Sequence, residues 1–141
     1  MNIKLNQYRK EATKTQMAGA EPYQIIQMLM AGVMDSLALA KGCVERGDFE
    51  QKSRNISKAS SIIVALRSSL DFKVESEVPN NLNALYEYMT DRLVDASIDK
   101  DTIAIEEVAN LFREIKSAWD EIPVQARVEA EQLRASTATA S

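Results

Sequence analysis

The sequence predicts an all-α fold, an antiparallel four-helix bundle with a mobile N-terminal arm and a flexible C-terminal tail. Three observations carry that expectation. Only 4 Gly and 3 Pro occur in 141 residues, and the long stretches between them are filled with Ala, Leu, Glu, Lys, Gln and Met, which favour a helix. Apolar side chains in those stretches recur at three- and four-residue spacing, the period of one helix face. The intervals between stretches are short, which favours antiparallel neighbours over an extended rod. With 45% hydrophobic residues, the chain suffices for one domain with a single unstapled core.

Residues 1–20 carry apolar side chains only at intervals, among them Ile3, Leu5, Tyr8 and Met17, and read as a mobile arm or short helix. The bundle is expected over 21–122. Pro22 suits the first position of a helix, where its missing N–H would be unpaired anyway, and Gly47 is a natural stop. Within this first helix Tyr23, Ile26, Met30, Val33, Leu37, Ala40 and Val44 form one stripe. Asp48 can cap the second helix, with Gln51 completing a capping-box-like arrangement, and Ile56, Ala59, Ile63, Leu66 and Leu70 mark its buried face to about Asp71. Phe72 to Asn80 lacks helical periodicity and reads as a loop, with Asn80 or Asn81 capping a third helix of Leu82, Leu85, Tyr86, Met89, Leu93 and Ala96. Acidic residues around Asp101 favour a fourth start, and Ile105, Val108, Phe112, Ile115 and Trp119 follow before Pro123 interrupts. In the extension 123–141, Val124 to Arg134 can form another short helix, and the Ala/Ser/Thr stretch after it is expected to be disordered.

Composition excludes most chemistry. The chain has no histidine, the commonest general base and metal ligand near neutral pH, and one cysteine, Cys43, which can form neither an internal disulfide nor a cysteine-based zinc site. No glycine-rich phosphate loop or calcium loop is present, so no cofactor is expected. Glu106 and Glu107 are adjacent on a helix and point in different directions, and Ser57 and Lys58 do not face one another either. The net charge of -4 lacks the basic footprint that nucleic-acid binding needs. The N-terminus has no long apolar core and no later segment reaches membrane-spanning length free of charge, so a cytoplasmic protein without membrane insertion is expected.

The first helix has more apolar side chains than its stripe requires. Ile25, Met28, Leu29 and Ala31 lie outside it. Either the core face is wide, or the arm covers the surplus, or a partner helix does, and the flexible methionines 28, 30 and 34 suit such a groove.

The ordered set Ala20-Glu21-Pro22-Tyr23-Gln24-Ile25-Ile26-Gln27-Met28-Leu29, Asn55-Ile56-Ser57-Lys58-Ala59 with Ile62-Ile63 and Leu66, and Asn81-Leu82 with Leu85-Tyr86-Glu87-Tyr88-Met89 resembles the flagellar secretion chaperone family, the flagellin-specific export chaperones. The resemblance continues through Arg92-Leu93, Asp101, Glu106-Glu107-Val108 and Trp119. Glu21, Met30 and Ser97 depart from residues common in that family. The resemblance implies a four-helix bundle that catalyses no reaction, binds the C-terminal region of unassembled flagellin, blocks premature polymerisation and passes the subunit to the flagellar type III export machinery. Combined with apolar groove character, it points to Tyr8, Ile25, Met28, Leu29, Asn55, Ile56, Ile63, Tyr86 and Met89 as the partner-binding residues. The rival reading is a helical adaptor that self-associates, as a homodimer, through the same apolar surface.

Overall fold

The computed structural model describes residues 22–140. They form five helices: α1 Pro22–Glu45, α2 Phe49–Ser68, α3 Val78–Ile98, α4 Ile103–Asp120 and α5 Val124–Ala140. The expected arm, Tyr8 included, lies outside the described residues. α1 packs against α2 and α4, and α3 packs against the same two, so the first four helices close into a ring. All four are antiparallel to their ring neighbours. Tyr23 at the start of α1 stacks on Trp119 at the end of α4, and Lys41 near the end of α1 pairs with Glu106 in the first turn of α4. Lys52 early in α2 likewise meets Ser97 and Asp99 at the end of α3, and Arg67 late in α2 meets Asn83 early in α3.

The helix boundaries follow from local chemistry. Gly47 has a φ of 74°, the left-handed geometry only glycine adopts freely, and it lets Asp48 N–H reach the Cys43 carbonyl at 2.8 Å and Gly47 N–H the Val44 carbonyl at 3.0 Å. Asp48 then caps α2 by accepting from Gln51 N–H at 3.2 Å, as the sequence suggests. α2 ends at Ser68, short of Asp71. There the Ser68 and Ser69 hydroxyls donate back to the carbonyls of Val64 and Leu66, offering the backbone an alternative to another helical turn.

Two further expectations about boundaries are corrected. α3 starts at Val78, not after a cap at Asn80 or Asn81. Pro79 sits in the first turn, where a missing N–H costs nothing, and the Ser76 hydroxyl oxygen accepts from Val78 N–H at 3.1 Å. The last helix runs past Arg134 to Ala140, through a segment rich in alanine and free of glycine and proline.

The core is built from Val33, Leu37 and Ala40 of α1, Ile56, Ala59, Ile63 and Leu66 of α2, Tyr86, Met89, Leu93 and Ala96 of α3, and Ile105, Val108 and Phe112 of α4. Tyr86 of α3 and Phe112 of α4 meet ring to ring at 6.4 Å between these adjacent helices, and burial pushes the Tyr86 hydroxyl pKa up to about 12. Leu85, expected on the buried stripe, is 38% exposed, because α3 turns Tyr86 and Met89 inward instead. α1 is long and apolar enough, by length and composition, to cross a membrane. In this fold part of that apolarity goes into the core, through Leu29, Met30, Val33, Leu37 and Ala40.

Candidate functional site

The residues expected to bind a partner divide into two groups. Leu29, Ile56, Ile63, Tyr86 and Met89 are core residues, none more than 4% exposed. Their side chains stand at the same three- and four-residue spacings that build the ring, and in this structure they belong to the core. Leu29 was surplus to the single stripe on α1, but α1 packs against both α2 and α4 and so needs a wider apolar face. Ile25 and Met28 are only partly buried on α1, and Asn55 is partly buried on α2. Asn55 turns its amide nitrogen to its own helix, donating to the Gln51 carbonyl at 2.9 Å and lying 3.9 Å from the Cys43 sulfur. That nitrogen is therefore engaged within the bundle.

Around Met28 the helix carries a second stripe. Positions 24, 28, 31, 35 and 39 advance by three or four residues and share a face opposite Val33 and Ala40. Gln24, Met28 and Ala31 are partly buried, whereas Asp35 and Leu39 are exposed, Leu39 by 56%. Asp35 is the one charge on this face, and Ile25 flanks it. Leu39 was not singled out in the sequence, although the interval from Met28 through Ala31 and Asp35 was there to be read.

Fixed polar contacts hold both ends of this helix. At its start, the Tyr23 and Trp119 rings stack at 5.3 Å, the Trp119 indole N–H donates to the Tyr23 carbonyl at 3.1 Å, and the Tyr23 hydroxyl donates to the Asp120 carbonyl at 3.1 Å. The Arg127 guanidinium of α5 lies 4.2 Å from the Tyr23 ring centroid. The Asp120 carboxylate accepts from Lys116 and from Gln27, and these bonds, Lys116 first, hold its pKa below the ordinary value. Toward the other end Lys41 and Glu106 pair at 2.9 Å, which raises the lysine and lowers the glutamate. Glu107 turns instead to Tyr88 and Arg92 on α3. The two adjacent glutamates therefore serve different helix pairs, as their spacing requires, and form no acid–base couple.

Among the described residues no group of three His, Cys, Asp or Glu is placed to hold a metal ion, and Cys43 is buried. The arrangement suits binding of an apolar helical or folding segment along α1.

Residues 4–126 match the profile of the family described as flagellar protein FliS. The chain is 42% identical over 118 residues to the flagellar secretion chaperone FliSB of Pseudomonas aeruginosa, covering 84% of this chain and 94% of that protein. It is 36% identical over 123 residues to the flagellar secretion chaperone FliS of Vibrio cholerae, covering 87% of this chain and 90% of the relative. With the flagellar secretion chaperone FliS of Salmonella typhimurium it shares 37% identity over 120 residues, 84% of this chain and 89% of the relative. Most of α5 lies beyond the part of the chain that the family profile matches.

Proposed function

We propose, from the premise that this chain belongs to the FliS family of flagellar secretion chaperones, that it binds the C-terminal region of unassembled flagellin in the cytoplasm, prevents its premature polymerisation and passes it to the flagellar export machinery. The family is one of chaperones, not of enzymes. The observation that carries the finer reading is the second, largely apolar stripe of α1, with Met28, Ala31 and Leu39 outside the main core and Asp35 as its one charge. A disordered amphipathic segment can fold along such a face and bury groups that would otherwise nucleate filaments. Methionine suits the task because its unbranched, polarizable side chain adapts to a partner's shape. Release needs no reaction by this chain, since transfer of the subunit to the export apparatus draws the equilibrium over by mass action.

Flagellin polymerisation followed by light scattering tests this reading. An equimolar amount of the chain is expected to suppress filament growth from monomeric flagellin of the same organism, and a flagellin truncated at its C-terminal region is expected not to co-elute with it. Undiminished growth, together with concentration-dependent dimerisation of the chain alone, would favour the self-associating adaptor.

A further inference from the structure

Gln24 occupies the stripe of α1 one turn before Met28 and next to Ile25. Its side-chain oxygen Oε1 is shielded from solvent and, among the described residues, accepts no hydrogen bond. This sets it apart from the neighbouring polar groups on the same helix: Gln27 donates to Asp120 at 2.9 Å, and the Tyr23 hydroxyl donates to the carbonyl of the same residue at 3.1 Å. A buried acceptor without a donor is a standing cost to the fold, because water has been removed from the oxygen and nothing has replaced it. Such a group is tolerated where a donor arrives with a ligand.

We infer that Gln24 is a polar anchor of the client face: with no hydrogen bond holding Oε1 in place, its amide turns outward as the client docks, and Oε1 then accepts a hydrogen bond from a main-chain N–H of the bound flagellin segment beside the apolar contacts of Ile25 and Met28. The inference rests on the proposed flagellin-binding function. The donor is assigned to the main chain for a physical reason. A segment that folds on binding brings unpaired N–H groups with it, especially in its first helical turn, and each must be satisfied as it leaves water. An acceptor beside the apolar side chains of Ile25 and Met28 meets that need and also fixes the register of the segment along α1, which apolar contacts alone leave free to slide.

The test is calorimetric titration of the full chain and its Gln24→Met variant with a flagellin C-terminal peptide and with a series of the same peptide N-methylated at single backbone amides. Gln24→Met keeps the length of the side chain and removes the acceptor. It is expected to weaken binding about tenfold without lowering the thermal midpoint, since the position has no internal partner to lose. One N-methylated peptide should bind the unaltered chain about tenfold more weakly while binding the variant no worse than the parent peptide does, the coupling expected of a single shared hydrogen bond. Unchanged affinity in Gln24→Met, with the unaltered chain still binding the peptide, overturns the role of Gln24 and leaves the chaperone reading intact. An equal loss across the whole N-methyl series also overturns it. Absence of binding by the unaltered chain overturns both.

Discussion

Tyr23 and Trp119 stack with their ring centroids 5.3 Å apart and their planes 11° from parallel, and the indole N–H of Trp119 donates to the main-chain carbonyl of Tyr23. The two residues lie at opposite ends of the four-helix sequence, so this contact closes the ring at the end where α1 begins. It also sets the position of Gln24, Ile25 and Met28, which follow Tyr23 within the next turns. Tyr23→Leu retains apolar bulk but loses the stack and the hydroxyl bond to Asp120, and is expected to cost about 1–2 kcal/mol. Trp119 is the only tryptophan in the chain. Its emission should therefore shift to longer wavelength in the variant at temperatures where the bundle is still folded, and an unshifted spectrum with an unchanged melting point would contradict the contact's role.

Lys52 is 2% exposed and donates to the carbonyls of Ser97 at 3.1 Å and Asp99 at 2.8 Å, capping the C-terminal end of α3 from α2. A cation there also opposes the negative end of the helix dipole, and the ammonium lies 5.3 Å from the Phe49 ring centroid. Lys52→Met keeps the apolar stem but leaves both carbonyls without their donor. An expected loss of about 1.5–3 kcal/mol should appear as a lower urea midpoint with an unchanged slope.

Three carboxylates stabilise the folded state in their charged form. Glu106 is held below its ordinary value of 4.5 by Lys41, Glu107 below the same value by Tyr88 and then Arg92, and Asp120 below 3.8 by Lys116 and then Gln27. Each binds protons less readily in the folded chain than in the unfolded one. Their contribution is therefore full above the ordinary carboxylate range and is lost as pH falls through the depressed values. The thermal midpoint should decline on acidification from about pH 6 to about pH 3, and Glu106→Gln should make that decline shallower. Lys41 has the opposite sign: its raised value favours the fold below its ordinary 10.5, and the benefit is lost as pH rises through the raised value. These groups are near the surface, so added salt should shrink the effects.

Met89 and Met28 separate the framework from the proposed binding face. Met89 is completely buried, and Met89→Ala is expected to cost about 2–5 kcal/mol by leaving a cavity. Flagellin affinity should then fall only as far as the fold is lost. Met28 is partly buried on the second stripe. Met28→Ala should cost less stability than Met89→Ala and weaken flagellin binding under conditions where the variant is fully folded. Paired melting curves and titrations check both, and an affinity loss confined to Met89→Ala at full folding would reverse the assignment.

The four stripes of the bundle were legible in the sequence because helix period and core packing impose the same spacing, and Asp48 with Gln51 and Gly47 mark their turns with residue types that have one main local use. The start of α3 was less legible: Pro79 reads as a loop residue, yet the first helical turn accepts it. Ile63, Tyr86 and Met89 combined apolar character with the family resemblance, and nothing in one sequence tells a groove residue from a core residue when both are apolar. Lys52 gave no signal, since its partners are main-chain carbonyls far along the chain, and the unpartnered oxygen of Gln24 is a property of the folded surroundings. The second stripe was legible in part: Met28 and Ala31 stand among the surplus apolar residues of the first helix, whereas Leu39 lies about two turns further on, beyond the charge of Asp35.

The most direct test of flagellin binding along α1 is isothermal titration of the chain, and of its Met28→Asp variant, with a peptide spanning the flagellin C-terminal region. The expected result is one-to-one binding with a negative heat-capacity change, the mark of apolar burial on coupled folding, and loss of that binding in Met28→Asp with the helical content and melting point of the chain retained. No heat of binding up to high micromolar peptide, or equal binding by both proteins, would contradict the account.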